Sequence, residues 1–222
     1  HSYRPLVVTP SRIQDGVSFW QRHAAVLARA EQTYRVPAAL IVAIIGIETF
    51  YGRQMGSHSV LDSLYTLGIH CPERSDFFAK EFAQLVLLAR EEQWPLTTLK
   101  GSYAGAMGMG QFMPSSYRHY AVDFDGDGRR DLFRNPVDAI GSVANYFAEH
   151  QWRWGESAVE PALIGLAPVS TLLRPEPELK QQWAELAAAG IEVATPLAPQ
   201  TPVKLLALEQ ADGPEYWVAR HN

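Results

Sequence analysis

The sequence predicts a mainly α (α+β) chain, a helical body followed by a small β-containing attachment. Three observations carry that prediction. Apolar residues recur at helical spacing in several windows before residue 155. Prolines stand at helix-starting positions, at Pro37 and after Asn135. After Gly155 the pattern changes: five of the 15 prolines lie between Pro161 and Pro196, and Val, Thr and Leu replace the helical periodicity.

The first ten residues, His1 to Pro10, read as an extended lead-in. Phe19 to Tyr34 carries Trp20, Ala24 and Leu27 at helical spacing and ends before Pro37. Pro37 then suits the first turn of a second helix, Ala38 to Thr49. Phe77 to Glu92 is a third, with Phe78, Phe82, Leu85 and Ala89 on one stripe. Trp94 to Tyr120 turns glycine-rich until Pro114 restarts a short helix. Asn135-Pro136 opens another through about Gln151, with Asn as cap and Pro at its first position. In the attachment, Glu178 to Ala189 reads as one helix, and Lys204 to Glu209, Asp212-Gly213-Pro214 and Tyr216 to Ala219 read as strand, turn, strand.

Composition excludes several classes. A chain of 222 residues suggests one large domain, or a core with small attachments, able to bury on the order of 70% of its unfolded surface. A hydrophobic fraction of 47% excludes a disordered tail. Net charge is −5 and no Lys/Arg run appears, against a nucleic-acid partner. The longest apolar run, Ala38 to Ile47, stops at Glu48, well short of the roughly 20 residues of a membrane-spanning helix. The single cysteine, Cys71, allows no internal disulfide, and His58, His70, His119 and His150 show no zinc spacing with it. The first residue is His1, so the chain is expected to be a mature or trimmed product from which any signal peptide or lipid anchor has gone.

Two segments carry chemistry. In a helix over Ala38 to Thr49, Glu48 shares a face with Ile44, Ile45 and Tyr51. A helix apolar nearly all round is buried, and a carboxylate there loses hydration, so its pKa rises and it can donate a proton near neutrality. The alternative is a solvated carboxylate at the helix end. The second segment, Gly101 to Gly110, holds four glycines but lacks both the dinucleotide fingerprint (Met113 stands where Gly is needed) and the Gly-Lys-Ser/Thr of a phosphate loop. Its density of glycine lets a flat ligand approach, with Ser102 and Gln111 as hydrogen-bonding groups and Tyr103 as an aromatic surface, which suits an N-acetylated sugar. Met107, Met109 and Met113 serve equally as core filler, and Met109 is also a candidate substrate contact. Trp152 and Trp154 suit either sugar stacking or core packing.

Ile47 to Gly52, Lys100 to Tyr117 with its string Gly108-Met-Gly-Gln-Phe-Met-Pro-Ser-Ser-Tyr117, and Asn135 to Phe147, in this order, resemble the lytic murein transglycosylase B family. The resemblance is strong over roughly residues 35 to 155 and looser in the flanks. It implies a lysozyme-like core (33–49 plus 101–155), a helical lobe (1–32 plus 50–100) and a small β-containing domain (156–219). It also implies cleavage of the β-1,4 bond between N-acetylmuramic acid and N-acetylglucosamine in peptidoglycan. The sugar's own 6-hydroxyl attacks the anomeric carbon and leaves a 1,6-anhydro end. By position Glu48 would be the single acid and then base. This agrees with the residues, because intramolecular attack removes the need for the second carboxylate of ordinary glycosidases. Ser102 and Gln111 match sugar-orienting positions, Tyr146 a cleft tyrosine, and Arg74 one of a basic pair that meets the stem peptide; here its neighbour is Glu73. Family chains continue past the Tyr-Trp-Val region with an aromatic segment, whereas this one stops at His221-Asn222. The expectation is either a trimmed product or a site lacking one wall.

Asp123-Phe-Asp125-Gly-Asp127-Gly128-Arg129 opens like an EF-hand loop, with carboxylates at positions 1, 3 and 5 and Gly at 6. Arg134 replaces the usual Glu at position 12, and Asp138 follows in the next helix, where it would also favour the helix N-terminus. The family carries a similar lengthened loop. The expected ligands of a structural Ca2+ are therefore Asp123, Asp125, Asp127, the Arg129 carbonyl and Asp138; no organic cofactor is expected. The resemblance implies peptidoglycan glycan strands as partner, with cell-wall synthases a further class, and a periplasmic place, soluble or lipid-anchored at the outer membrane. The rival functions are a hydrolytic muramidase and a non-catalytic peptidoglycan-binding module.

Overall fold

The computed structural model describes residues 8–210 and 213–222. The chain forms two compact units, a helical body over residues 9–150 and a second unit over residues 151–222.

The body starts with α1 (Pro10–Arg22), α2 (Ala24–Tyr34) and α3 (Ala38–Thr49). Thr9 caps α1, its hydroxyl accepting the Arg12 N–H at 3.2 Å, with Pro10 at the first position. Of the expected lead-in, residues 1–7 lie outside the described residues, while Thr9-Pro10 starts a helix instead. The single helix expected from Phe19 to Tyr34 is two, parted at His23. Helix α3 has the expected bounds. It buries Ile41, Val42 and Ile45 but leaves Ile47 47% exposed, so it is a core helix with one open edge.

Strand β1 (His58–Ser59) leads into α4 (Val60–His70), a helix the sequence reading did not pick out, which packs on α5 (Ser75–Glu91). Strand β2 (Lys100–Gly101) pairs antiparallel with β1. Next come α6 (Pro114–Tyr120) and α7 (Pro136–Glu149). Asn135 caps α7 by accepting the Val137 N–H at 3.0 Å, as its place before Pro136 implies. Helix α7 packs against α2, α3 and α6 and buries Ala139, Ile140, Val143 and Ala144. The fold is thus mostly helical with small sheets.

In the second unit β3 (Val159–Pro161), α8 (Val169–Leu172), β4 (Gln181–Gln182), α9 (Trp183–Ala188), β5 (Pro202–Leu208) and β6 (Glu215–Ala219) follow. The four strands form one antiparallel sheet in the order β3-β6-β5-β4. Its inward face, Val203, Leu205 and Val218, packs on Leu186 and Ile191. The expected strands are present as β5 and β6, and part of the turn between them (residues 211–212) lies outside the described residues. The helix expected over Glu178 to Ala189 shrinks to α9. Gln181 is 3% exposed, donates to Leu172 O at 2.8 Å and accepts from Leu205 N at 3.3 Å, so this polar residue is held in the sheet rather than starting a helix.

Candidate active site

Glu48 projects from the last turn of α3 into a cavity of about 290 Å³. Ile44, Gly110, Gln111, Phe112, Met113, Ser116, Val143, Tyr146 and Phe147 complete its lining. Among the described residues Glu48 is the one carboxylate in that lining. Glu48 is exposed on the cavity wall and not sealed in the core, which corrects the burial expected from the apolar helix. The protein around it still strips hydration from the carboxyl, and this burial raises its pKa above the ordinary glutamate value. Of the face mates expected, Ile44 shares the cavity and Ile45 is buried in the core. Tyr51 turns away through two left-handed residues, Phe50 and itself, and its hydroxyl reaches Arg12 O at 3.3 Å.

Thr49 fixes the end of α3. It is 1% exposed, its hydroxyl accepts the Gly52 N–H at 3.0 Å, and it donates to Met109 O at 2.8 Å, a better acceptor than Ile45 O at 3.2 Å. The residue beside the catalytic candidate therefore binds α3 to the glycine-rich loop.

That loop is built by close backbone approach. Met107 and Phe112 exchange both N–H···O bonds at 2.9 Å, and Met109 N donates to Leu132 O at 2.8 Å. Gly108 has φ +71°, and a Cβ there would meet Leu132 at 2.8 Å; one on Gly110 would meet the Phe112 ring at 2.7 Å. Gln111 is itself left-handed, with φ +52°, and its amide NH2 donates to Gly108 O at 3.0 Å and Met55 O at 3.3 Å. The Tyr146 ring stacks on His150 at 4.1 Å and meets Phe112 and Tyr120 edge-on at 5.8 and 5.1 Å, which makes it a rigid aromatic wall.

Glu48, Gln111 and Tyr146 are therefore brought together, while four other candidates lie outside the cavity lining. The Ser102 hydroxyl accepts N–H bonds from Ala104 at 3.3 Å and Ala106 at 3.0 Å and so shapes its own turn. Tyr103 is 73% exposed, and Met109 is 7% exposed with its side chain against Gly52. The Arg74 guanidinium sits over the rings of Phe77 at 4.6 Å and Phe78 at 5.1 Å. Phe112, Ser116, Val143 and Phe147 were not singled out from the sequence, and Met113, read there as possible core filler, lines the cavity. Their signal was adjacency to Gln111, Pro114 and Tyr146 in motifs already noted. Glu81 was also missed: 5% exposed on α5, it accepts from Ser115 N at 2.9 Å and Ser115 Oγ at 2.6 Å and pins the start of α6.

In the acidic loop, oxygens of Asp123, Asp125 and Asp127 lie within 4.8 Å of one another. Burial pushes the Asp123 carboxyl up, but N–H groups from Gly128, Gly126 and Asp127 together outweigh it and hold its pKa below the ordinary value. Asp127 accepts from Arg129 N at 2.9 Å, and Asp125 from the Asn135 side chain at 2.8 Å. Asp138 does not join the three converging carboxylates. It is fully buried at the start of α7, and its two oxygens accept Phe124 N at 2.8 Å and Asp131 N at 2.9 Å, tying both ends of the loop to the helix. Burial raises its pKa against these bonds.

The helical body is lysozyme-like, and the solved structures it superposes on are lytic transglycosylases. The family described as "Transglycosylase SLT domain" matches residues 1–222, and the chain belongs to it. Membrane-bound lytic murein transglycosylase B of Escherichia coli (strain K12) is 46% identical over 220 residues, which is 99% of this chain. The chain spans 60% of that relative's length. Soluble lytic transglycosylase SltB1 from Pseudomonas aeruginosa superposes with a TM-score of 0.90 at 48% identity, covering 98% of this chain and 72% of that one. The Escherichia coli lytic transglycosylase Slt35 in complex with calcium superposes at 0.85 with 45% identity, covering 99% and 69%.

Proposed function

We propose that this chain is a peptidoglycan lytic transglycosylase that cleaves the MurNAc-β-1,4-GlcNAc bond and closes a 1,6-anhydro ring, with Glu48 as its single acid and then base. The observation that carries this is the lone carboxylate of the cavity, with its raised pKa. Protonated Glu48 gives its proton to the glycosidic oxygen as the bond to the anomeric carbon breaks. The 6-hydroxyl of the same sugar then attacks that carbon, and the Glu48 carboxylate takes up the hydroxyl proton. No water is consumed, and the enzyme returns to its starting protonation. A hydrolase of the usual kind would need a second carboxylate to activate water.

Gln111 and Tyr146 orient the muramic sugar: the Gln111 amide is fixed through its NH2 group, and Tyr146 supplies an apolar face for the ring. Ser102 acts through the loop it shapes, Met109 supports that loop from beneath, and Tyr103 offers an exposed ring to neighbouring sugars. Arg74, stacked on its phenylalanines, would meet the stem peptide. All cavity residues fall in 44–48 and 110–147, which is consistent with a catalytic core of 33–49 plus 101–155, beside a lobe of 1–32 plus 50–100 and a β-containing domain of 156–219 that the family resemblance implies.

Converging hard oxygen donors of Asp123, Asp125 and Asp127 fit a calcium ion, with the Arg129 carbonyl as a further ligand, while Asp138 ties the loop to α7 from outside this cluster. Calcium bound to the relative Slt35 supports the assignment. The ion would stiffen the loop and stand apart from the chemistry. The substrate is a polymer of the bacterial cell envelope, which places the activity in the periplasm. Among the described residues no single helix is long and apolar enough to cross a membrane.

Incubating purified peptidoglycan with the chain and with Glu48→Gln tests this. Soluble muropeptides should appear with the native chain and fall at least about a hundredfold with the variant. Equal release by both would remove Glu48 from the mechanism, and glycan binding without release by the native chain would make it a binding module.

A further inference from the structure

Glu81 on α5 is a buried carboxylate that the proposed chemistry leaves without a part. It is 5% exposed, and among the described residues no cation pairs with it. Both its oxygens go to one residue: Oε2 accepts the Ser115 N–H at 2.9 Å and Oε1 the Ser115 hydroxyl at 2.6 Å. Burying a carboxylate costs free energy that an apolar side chain of similar size avoids. What Glu81 adds is direction, because two bonds from one carboxylate to one residue fix the first turn of α6 in both place and rotation. Arg118, one turn further on, repeats the attachment to α5: it is bonded to Gln84 and, at 2.6 Å, to Glu91.

Adjacent residues of a helix point about 100° apart, so turning Ser115 toward α5 turns Ser116 to another side. That side is the cavity of Glu48, which Ser116 lines together with Gln111 and Val143. Gln111 has its NH2 group committed, to Gly108 O at 3.0 Å and Met55 O at 3.3 Å. Ser116 is half-buried, and among the described residues none forms a hydrogen bond with its hydroxyl. A hydroxyl that can both donate and accept, held uncommitted on the wall of a pocket, is completed by a polar group of the ligand.

We propose that Ser116 is a substrate-binding residue that hydrogen-bonds a polar substituent of the sugar in the Glu48 cavity, and that Glu81 is its positioning residue, acting through Ser115. The identity of the ligand as a sugar rests on the functional reading above; the division of roles between the two neighbouring serines rests on the geometry alone. The Ser115 hydroxyl is taken up by Glu81 and orients the helix, which leaves the Ser116 hydroxyl for the ligand. Alanine at position 116 removes the contact, whereas loss of Glu81 frees the first turn of α6 and misdirects it.

The test is isothermal titration of the full chain carrying Glu48→Gln, so that bound sugar is not consumed. The probe is a soluble tetrasaccharide of alternating N-acetylglucosamine and N-acetylmuramic acid. Adding Ser116→Ala should raise Kd about two- to tenfold, the worth of one hydrogen bond. Glu81→Leu should raise it by a similar factor. Glu81→Gln should raise it much less, because its amide oxygen can accept the Ser115 N–H while its NH2 donates to the Ser115 hydroxyl. Once Ser116→Ala is present, Glu81→Leu should have no further effect on Kd, a coupling that general loosening of the pocket would not produce. If thermal unfolding shows that Glu81→Leu does not fold, Ser115→Ala removes the hydroxyl half of the clamp and carries the same prediction. An unchanged Kd with Ser116→Ala, or an equal loss from the Glu81 or Ser115 variant with and without Ser116→Ala, would overturn the proposal while leaving the functional reading in place. A tetrasaccharide that does not bind the Glu48→Gln chain at all would overturn both.

Discussion

At the scale of single residues, Glu48 is the proposed acid and Thr49 fixes the end of the helix that carries it. Thr49→Val keeps the shape but leaves Met109 O and the Gly52 N–H without their partner in a buried setting, which costs about 1–3 kcal/mol. The same change should lower turnover more than substrate affinity, read as kcat against KM, because it loosens the acid rather than the sugar contacts. Burial raises the Glu48 pKa, so the fold disfavours its ionised form. Stability present while the carboxyl is protonated is lost as pH rises through the raised value. Glu48→Gln should therefore unfold at the same temperature as the native chain below about pH 4 and at a higher one near neutrality. Activity should decline as pH rises above the raised pKa, because the first step needs the proton. Coincident unfolding of the two proteins at every pH would contradict the dehydrated setting. The sequence pointed to Glu48 through the apolar residues before it, but that signal could not tell a core helix from a helix with one open edge. The difference lies in Ile47 and Glu48 being exposed, a tertiary fact.

At the scale of elements, legibility followed the capping chemistry. Helices α3 and α7 were readable to within two residues because proline and asparagine mark their starts by local physics. Thr9-Pro10 carries the same kind of signal, and α1 was missed because its residues Gln14, Asp15 and Gly16 dilute the apolar pattern. The expected helix from Glu178 failed for the opposite reason: its composition suits a helix, but strand pairing of Gln181 with Val203 overrides local preference. Helix α7 carries two separable devices. Asn135→Ala should cost about 1 kcal/mol through loss of the cap. Asp138→Ala should cost more, about 2–3 kcal/mol, by leaving the Phe124 and Asp131 N–H groups unpaired beside a buried site. Denaturant unfolding of both variants checks the order, and equal effects would remove the stitching role of Asp138.

At the scale of the whole molecule, the helical body and the sheet unit are built on different physics, one on a core shared by long helices and the other on a small antiparallel sheet closed by α9. The composition changes after Gly155, and the second compact unit takes in residues from Gln151 on. The acidic loop was legible as a motif, since alternating aspartates have few other uses. The position of Asp138 was not, because its oxygens are taken by backbone N–H groups that only the folded loop supplies. Calcium binding to the folded form alone raises stability by about 2.7 kcal/mol at a hundredfold excess over Kd. Calcium should thus raise the unfolding temperature of chelator-treated protein, and Asp125→Asn with Asp127→Asn should abolish the shift. An unchanged temperature in the native chain would exclude a site that stiffens the loop.

The central claim, one carboxylate serving an intramolecular attack, is tested most directly by digesting peptidoglycan in heavy-oxygen water and weighing the released muropeptides. Products lighter by one water than the reducing forms, carrying no heavy oxygen and absent with Glu48→Gln, are what the lone Glu48 predicts. Reducing ends that have taken up one heavy oxygen would show that water attacks the anomeric carbon, and would contradict the account.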